Sequence, residues 1–249
     1  MNIAFSLLFT LICFVSGFTA FPAQLQASNP QWRIRLQQEL ATQSVSTKQL
    51  EIMAMWDGKY SSDEYVFGTK PNDFLESVSS KLAPNSSVLS LGEGEGRNAV
   101  FLAKLGHDVL GVDASAVGLE KAQKLAREHG TEIDTKVADL ESFDMEVSKW
   151  DGVVSIFCHM PSELRKEVYK KIVGGLKPGG ILILEAYTPK QLEYKTGGPP
   201  VADMMPTLDL LKVELDGLYF EIGEEKERDV VEGRLHTGKA HVVQVVARK

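Results

Sequence analysis

The feature that most constrains this chain is the junction Val88-Leu89-Ser90-Leu91-Gly92-Glu93-Gly94-Glu95-Gly96-Arg97-Asn98. A short apolar run stops at three alternating glycines, and apolar residues at helical spacing follow at once, from Asn98 to Leu105. Val88 to Leu91 has the length and composition of a buried parallel strand. A strand that enters a helix through glycines lets the backbone approach a ligand closely, at the carboxyl end of a sheet where ligands bind. The spacing is G-x-G-x-G rather than the dinucleotide G-x-G-x-x-G, so the glycines alone do not name that ligand. One strand later, His107 to Val112 reads as the neighbouring strand and ends at Asp113. A carboxylate there, about 20 residues beyond the glycines, is placed to accept both hydroxyls of an adenosine ribose. The plainer alternative is that Asp113 belongs to the helix start at Ser115; joined to the glycine turn in one β-α-β frame, the ligand reading is favoured.

The same alternation continues. Ser115 caps a helix whose Leu119, Ala122, Leu125 and Ala126 face inward, and Gly130 stops it. Thr131 to Val137 reads as a third strand, followed by Ala138-Asp139-Leu140, and Asp151 to Phe157 as a fourth, ending at Cys158-His159. Pro161 opens the next helix at a position that tolerates proline. Lys177-Pro178-Gly179-Gly180 reads as a turn and Ile181 to Tyr187 as a fifth strand. Strands alternating with helices predict an α/β, doubly wound, mainly parallel sheet. Leu218 to Glu224 and His241 to Ala247 depart from that rhythm and read as a closing hairpin that sets one strand antiparallel at the sheet's end. Upstream, Trp56 to Tyr60 and Phe67 to Leu75 mix aromatics with glycine, proline and polar residues, either a lid over a pocket or a cap on the sheet, with Asn72 an N-cap.

The 249 residues allow one domain, or one domain plus an extension. Lys and Arg number 27 against 34 Asp and Glu, for a net charge of −7. Beyond residue 54 the balance is about −8, which argues against a nucleic-acid partner. Cys13 and Cys158 are the two cysteines and build no disulfide framework, so the globular part suits a reducing compartment. Residues 3–21 carry no charge and read as a signal peptide, a membrane anchor or an organellar address, with membrane contact confined to that stretch. The division predicted is 1–27 signal peptide or anchor, 28–54 linker or extension, and 55–249 the folded domain.

From Met55 to Lys249 the chain resembles class I S-adenosylmethionine-dependent methyltransferases, most closely the branch grouped with tellurite-resistance and thiopurine methyltransferases. The resemblance is carried by the G-x-G-x-G turn, Asp113, Ala138-Asp139-Leu140, Lys177-Pro178-Gly179-Gly180 and the terminal hairpin. The branch is carried by Trp56-Asp57-x-x-Tyr60, Glu185-Ala186-Tyr187-Thr188-Pro189 and Thr196-Gly197-Gly198-Pro199-Pro200. It implies a seven-stranded Rossmann-like methyltransferase fold and S-adenosyl-L-methionine as cofactor. Gly92, Gly94 and Gly96 would approach the cofactor's methionine, Asp113 with Ala114 its ribose, Asp139 and Leu140 its adenine, while Phe157 and Cys158 would flank cofactor and acceptor. Trp56, Tyr60, Cys158 and Tyr187 would line the acceptor site. Many class I enzymes carry an acid where Ser90 stands; Glu93 or Glu95 is expected to neutralise the cofactor ammonium instead, unless both are solvated loop carboxylates. A cofactor made in the cytosol also implies that the domain works in the cytosol or in an organelle supplied with it.

In-line methyl transfer asks a protein mainly to align donor and acceptor. A soft nucleophile, a thiol or a selenium or tellurium oxyanion, needs little help from a base, which suits a sequence with no evident catalytic dyad. His159 is the candidate base nearest the site, unless it ties down the next helix. No His/Cys cluster has metal-ligand spacing. The expected function is methyl transfer to a small acceptor of this kind. The rival readings are a nicotinamide-dependent oxidoreductase, disfavoured by the glycine spacing and hairpin, and a non-catalytic cofactor-binding domain.

Overall fold

The computed structural model describes residues 47–249. In chain order these form helix α1 (Thr47–Tyr60), α2 (Asp73–Val78), strand β1 (Ser87–Leu91), α3 (Arg97–Lys104), β2 (Asp108–Asp113), α4 (Ala116–Glu128), β3 (Asp134–Val137) and β4 (Trp150–Ile156). Then follow α5 (Ser162–Gly175), β5 (Leu176–Tyr187), the single turn α6 (Gln191–Tyr194), α7 (Leu208–Glu214), β6 (Tyr219–Glu232) and β7 (His236–Arg248). The sheet has seven strands in the order β3-β2-β1-β4-β5-β7-β6. The first five pair in parallel, and β7 runs antiparallel to both β5 and β6. The antiparallel strand therefore lies one place in from the edge, which β6 occupies.

Alternation along the strands makes two cores, one on each face. Leu89, Leu91 and Val153 pack with Tyr169 and Ile172 of α5, whereas Val88, Val154 and Ile156 pack with Leu75 of α2 and Ala99 and Leu102 of α3. Strand order reverses between β1 and β4, and the register sets Leu91 beside both Val112 and Ser155. Gly92, Asp113 and Phe157 thus leave the sheet along one rim, at the crevice where doubly wound sheets bind ligands. The predicted caps form: Ser115 Oγ accepts from Gly118 N at 3.0 Å and Asn72 Oδ1 from Leu75 N at 2.9 Å, and Gly130 takes a left-handed φ of 68°.

Five boundaries differ from the sequence reading by more than one residue. β3 begins at Asp134, not Thr131. Lys177-Pro178-Gly179-Gly180 is a bulge within β5, where pairing jumps from Trp150↔Leu176 to Gly152↔Ile181. The hairpin strands run on to Glu232 and back from His236, because the charged run Glu224 to Asp229 is an edge strand that masks its own pattern. Helix α1 starts at Thr47, so a boundary at Met55 cuts through it, and the compact unit is Thr47–Lys249. Its inward face, Ile52, Met53, Trp56, Asp57 and Tyr60, keeps helical spacing but holds too few apolar residues to show in sequence. Among the described residues no helix is long and apolar enough to cross a membrane. The expected leader and most of the expected linker lie outside the described residues.

Candidate active site

The glycines of the turn are needed first by the protein's own packing. Gly92, Gly94 and Gly96 sit at φ 60°, 60° and 96°, where a side chain is strained. A Cβ on Gly92 would lie 2.8 Å from Cys158 Sγ, on Gly94 2.7 Å from the Tyr60 hydroxyl oxygen, and on Gly96 2.6 Å from Ala122 Cα. The loop is thus pressed between the end of β4, α1 and α4. Three of its amides are spent internally: Glu93 N donates to the Val112 carbonyl at 3.2 Å, Gly94 N to Asp113 Oδ2 at 2.8 Å and Gly96 N to the Glu93 carbonyl at 3.4 Å.

Asp113 is the joint between loop and sheet. Its other oxygen, Oδ1, accepts from Ser115 N at 2.8 Å, and burial raises its pKa while these amides oppose the rise. Each carboxylate oxygen keeps a lone pair beyond the one engaged. Next to it, Ala138 N donates to the Asp113 carbonyl at 2.9 Å, which brings Asp139 and Leu140 to the same rim. Asp139 Oδ1 accepts from Glu141 N at 2.8 Å. Ala114 is half-buried between Asp113 and the helix cap Ser115.

Neither loop acid is solvated. Glu93 is buried, accepts from Ser90 Oγ and from Ala99 N at 2.9 Å, and has its pKa pushed up to about 7 by burial. Ser90, near the end of β1, thus holds the Glu93 carboxyl in place. Glu95 takes a different task from the one expected of it. Its Oε2 accepts from Val66 N at 2.7 Å and Phe67 N at 3.4 Å, and its Oε1 pairs with Lys121. Lys121 also donates to the Ser62 and Glu64 carbonyls at 2.8 and 2.7 Å. Glu95 thereby fastens residues 61–68 over the glycine turn, and Arg234 N donating to Val66 O at 2.9 Å fastens the same segment to the hairpin. The aromatic stretch is thus held against both the glycine turn and the hairpin.

Beside that segment aromatic rings converge. Trp56 stacks on Tyr60 at 5.6 Å and Tyr60 meets Phe67 edge-on at 6.2 Å. Phe157 lies 4.5 Å from Tyr187 and 5.0 Å from His236, and His159 stacks on Tyr187 at 5.5 Å, between ring centroids. Phe157 holds φ 52°, a conformation that costs a bulky residue about 1–3 kcal/mol and collects at functional sites. Tyr187 is fully buried against Phe157 and His159, so its ring faces no open space. His159 is not poised as a base: its Nε2 accepts from Tyr187 N at 3.1 Å, and burial drives its pKa down to about 3. It ties the end of β4 to β5. Cys158 is likewise held as a thiol, its pKa pushed up to about 12 by burial.

Sequence reasoning missed Arg97, Glu232 and His236. Arg97, directly after the third glycine, is buried and donates from Nη2 to Glu232 Oε2 at 2.6 Å. Glu232 and His236 flank the hairpin turn, and His236 sits 4.6 Å from Phe67 between centroids. The one signal was a charged residue opening an otherwise apolar helix; its partner lies 135 positions away.

Comparison with known proteins bears on this geometry. Residues 88–180 match the methyltransferase domain family. That span is the part that carries the glycine turn, Asp113, Asp139 and Phe157. Over 123 residues the chain is 30% identical to the 2-heptyl-1-hydroxyquinolin-4(1H)-one methyltransferase of Mycobacteroides abscessus, covering 48% of this chain and 54% of that protein. The chain thus spans about half the length of the curated relative it matches. Among solved structures, one is a protein from work on the conversion of a disulfide bond into a thioacetal group during echinomycin biosynthesis. It superposes with a TM-score of 0.66 at 18% identity, over 80% of this chain and 91% of that one. TehB from Haemophilus influenzae superposes with a TM-score of 0.58 at 20% identity, over 79% and 66% respectively. The architecture is the Rossmann-like fold of class I methyltransferases, whose cofactor is S-adenosylmethionine.

Proposed function

We propose that this protein transfers a methyl group from S-adenosylmethionine to a small acceptor that reacts through a soft, ionised nucleophile, a thiolate or a selenium or tellurium oxyanion. The observation that carries the reading is the Asp113 joint, a buried carboxylate welded to the glycine turn at the switch point of the sheet, inside the span that matches the methyltransferase domain. The residues fit the cofactor: Asp113 retains lone pairs for a ribose diol, and Asp139 and Leu140 stand on the adjoining rim for an adenine. With the Gly94 and Gly96 amides spent, the turn offers carbonyl oxygens to the ammonium end, beside Glu93.

When bound, the cofactor supplies a sulfonium methyl, whose carbon–sulfur pair stays with sulfur as the acceptor's lone pair forms the new bond. Phe157, Tyr60 and Phe67 wall the place where the two meet and exclude water, and the lid held by Glu95 closes it. Among the described residues neither histidine there is free to act as a strong base. His159 is engaged, and His236 is kept uncharged by burial, its pKa lowered to about 4. An acceptor must therefore arrive ionised or lose its proton easily, which favours thiols and chalcogen oxyanions over alcohols. The 30% identity to the 2-heptyl-1-hydroxyquinolin-4(1H)-one methyltransferase supports a small acceptor. Calorimetric binding of S-adenosylhomocysteine against NADH tests the cofactor, and turnover on a thiol panel with selenite and tellurite tests the acceptor. Binding of NADH in preference, or methylation confined to alcohols, would overturn the proposal.

A further inference from the structure

Residues 61–68 leave the end of α1 as neither helix nor strand, folded by one backbone hydrogen bond of their own, from Gly68 N to the Tyr65 carbonyl at 2.9 Å. Their place is set from outside, by clasps on two sides. On one side Glu95, whose side chain is 2% exposed, accepts from Val66 N and Phe67 N at 2.7 and 3.4 Å through Oε2 and pairs with Lys121 through Oε1. The Lys121 ammonium also donates to the Tyr60, Ser62 and Glu64 carbonyls at 3.4, 2.8 and 2.7 Å, and it lies 4.9 Å from the centroid of the Tyr65 ring. On the other side Arg234 N donates to the Val66 carbonyl at 2.9 Å, and the two backbones meet so closely that a Cβ on Gly233 would lie 2.4 Å from Val66 O.

The order of the strands says what lies between the clasps. Glu95 follows β1 and Arg234 precedes β7, and β4 and β5 run between those two strands. The segment therefore crosses the rim over the ends of β4 and β5, which lead to Phe157 and Tyr187. The hairpin meets it there. β7 pairs with β5 only from Val242 onward, so His236 to His241, with Glu227 to Glu232 opposite, overhang the rim. That overhang bends back until the His236 ring lies 5.0 Å from Phe157 and 5.4 Å from Tyr187, and Phe67 of the segment closes on it at 4.6 Å, between centroids. Asp113 and Asp139 follow β2 and β3, on the far side of β1 and outside the span. Few bonds of its own and a hold through one ion pair make such a bridge the part of the rim that opens at least cost. We infer that residues 61–68 are a strap shut over the acceptor side of the crevice, and that Lys121, acting through Glu95 and main-chain carbonyls, is the positioning residue that keeps it shut. This rests on the methyl-transfer reading above and adds an order to it: the nucleoside enters beside β1 to β3 with the strap shut, whereas the acceptor needs it open.

Two perturbations reach the strap from opposite sides. Lys121→Met with Glu95→Gln removes the ion pair without leaving a buried charge alone, and Gly233→Ala pushes the strap away from the hairpin. Amide hydrogen exchange of the ligand-free protein reads the strap directly. In both variants the Val66 and Phe67 amides are expected to exchange at least about tenfold faster, beyond any change at the sheet amides of Leu89 and Val153, which report global opening. Lys121→Arg keeps the charge and should hold those amides near the wild-type rate. In turnover on a thiol panel, the acceptor KM is expected to rise about tenfold in both variants because less of the protein is in the shut state, with kcat changed less and S-adenosylhomocysteine affinity within about threefold of wild type. Val66 and Phe67 amides that exchange at the wild-type rate overturn the strap. Faster exchange with an unchanged acceptor KM, or with cofactor affinity lost in step, shows a clamp on the fold and overturns the positioning role. Wild-type protein that neither binds S-adenosylhomocysteine nor methylates a thiol overturns the methyl-transfer reading and the acceptor with it, while the strap itself stands or falls on exchange without ligand.

Discussion

Removing the Asp113 carboxylate should weaken the fold itself as well as the ligand site. At the sequence level this residue reads as a ribose ligand whose loss leaves folding nearly intact. The structure gives it a second task, since its two oxygens accept the amides of Gly94 and Ser115 at 2.8 Å each in a buried setting. Hydrogen bonds to a charged acceptor are worth about 1.5–3 kcal/mol each, and a buried amide left unpaired adds a penalty of similar size. Burial of the carboxylate opposes part of that gain, as the upward pressure on its pKa shows. The net loss for Asp113→Ala is therefore about 3–4 kcal/mol, or about 6–16 °C in Tm for a domain of this size. Asp113→Asn keeps one acceptor but turns an N–H toward an N–H at the other position, so about 1–3 kcal/mol is expected. Scanning calorimetry without ligand measures both, and titration with S-adenosylhomocysteine measures the ribose contribution separately. An Asp113→Ala protein that melts within about 2 °C of wild type, equivalent to less than about 1 kcal/mol, would refute the joint.

Glu93 is raised in the folded protein to about 7 from an ordinary 4.5, so it stabilises the fold fully below pH 4.5 and that contribution is lost as pH rises to 7. Glu93→Gln should remove this slope, making the variant relatively more stable at pH 8 than at pH 4.5 by about 3 kcal/mol in paired denaturant titrations; parallel curves would refute it. Gly94→Ala should destabilise through collision with the Tyr60 hydroxyl, and Tyr60→Phe, which leaves the nearest ring atom at 3.2 Å, should restore part of the loss in a double-mutant cycle. Strict additivity would show that the backbone angle alone is responsible. A chain begun at Met55 keeps only the last six residues of α1, too few to hold a helix unaided, although Asp57 still caps α4 through Ser115 Oγ. Begun at Thr47 the protein should melt as the full chain does, and begun at Met55 it should melt lower and gain less from S-adenosylhomocysteine; equal melting curves with and without ligand would refute a structural role for residues 47–54.

What the sequence showed was what local chemistry decides. An apolar run ending in three glycines admits few geometries, and Ser115, Asn72 and Gly130 announced helix ends because their roles involve neighbours three residues away or fewer. The strands of the hairpin were half visible for the opposite reason. From Glu224 to Asp229 strand β6 is charged on both faces because it is the sheet's edge, so the alternation that reveals a half-buried strand is missing. Helix α1 was hidden by its composition, since its inward face sets a half-buried Asp57 and the Tyr60 ring where an apolar stripe would be sought.

The site was legible only where its residues lie on strand ends. Glu95 looks like an acid offered to a ligand until the lid amides of Val66 and Phe67 are seen to claim it, and nothing in the sequence sets that segment over the glycine turn. Nothing in the sequence links Arg97 to Glu232, 135 positions away. Folding brings them to 2.6 Å and removes both from water, which is tolerable only because Asn72, Arg228 and Glu185 complete the network around them. Breaking such a network at one member leaves a buried charge unpaired, so its geometry is specified far more tightly than its net contribution to stability would require.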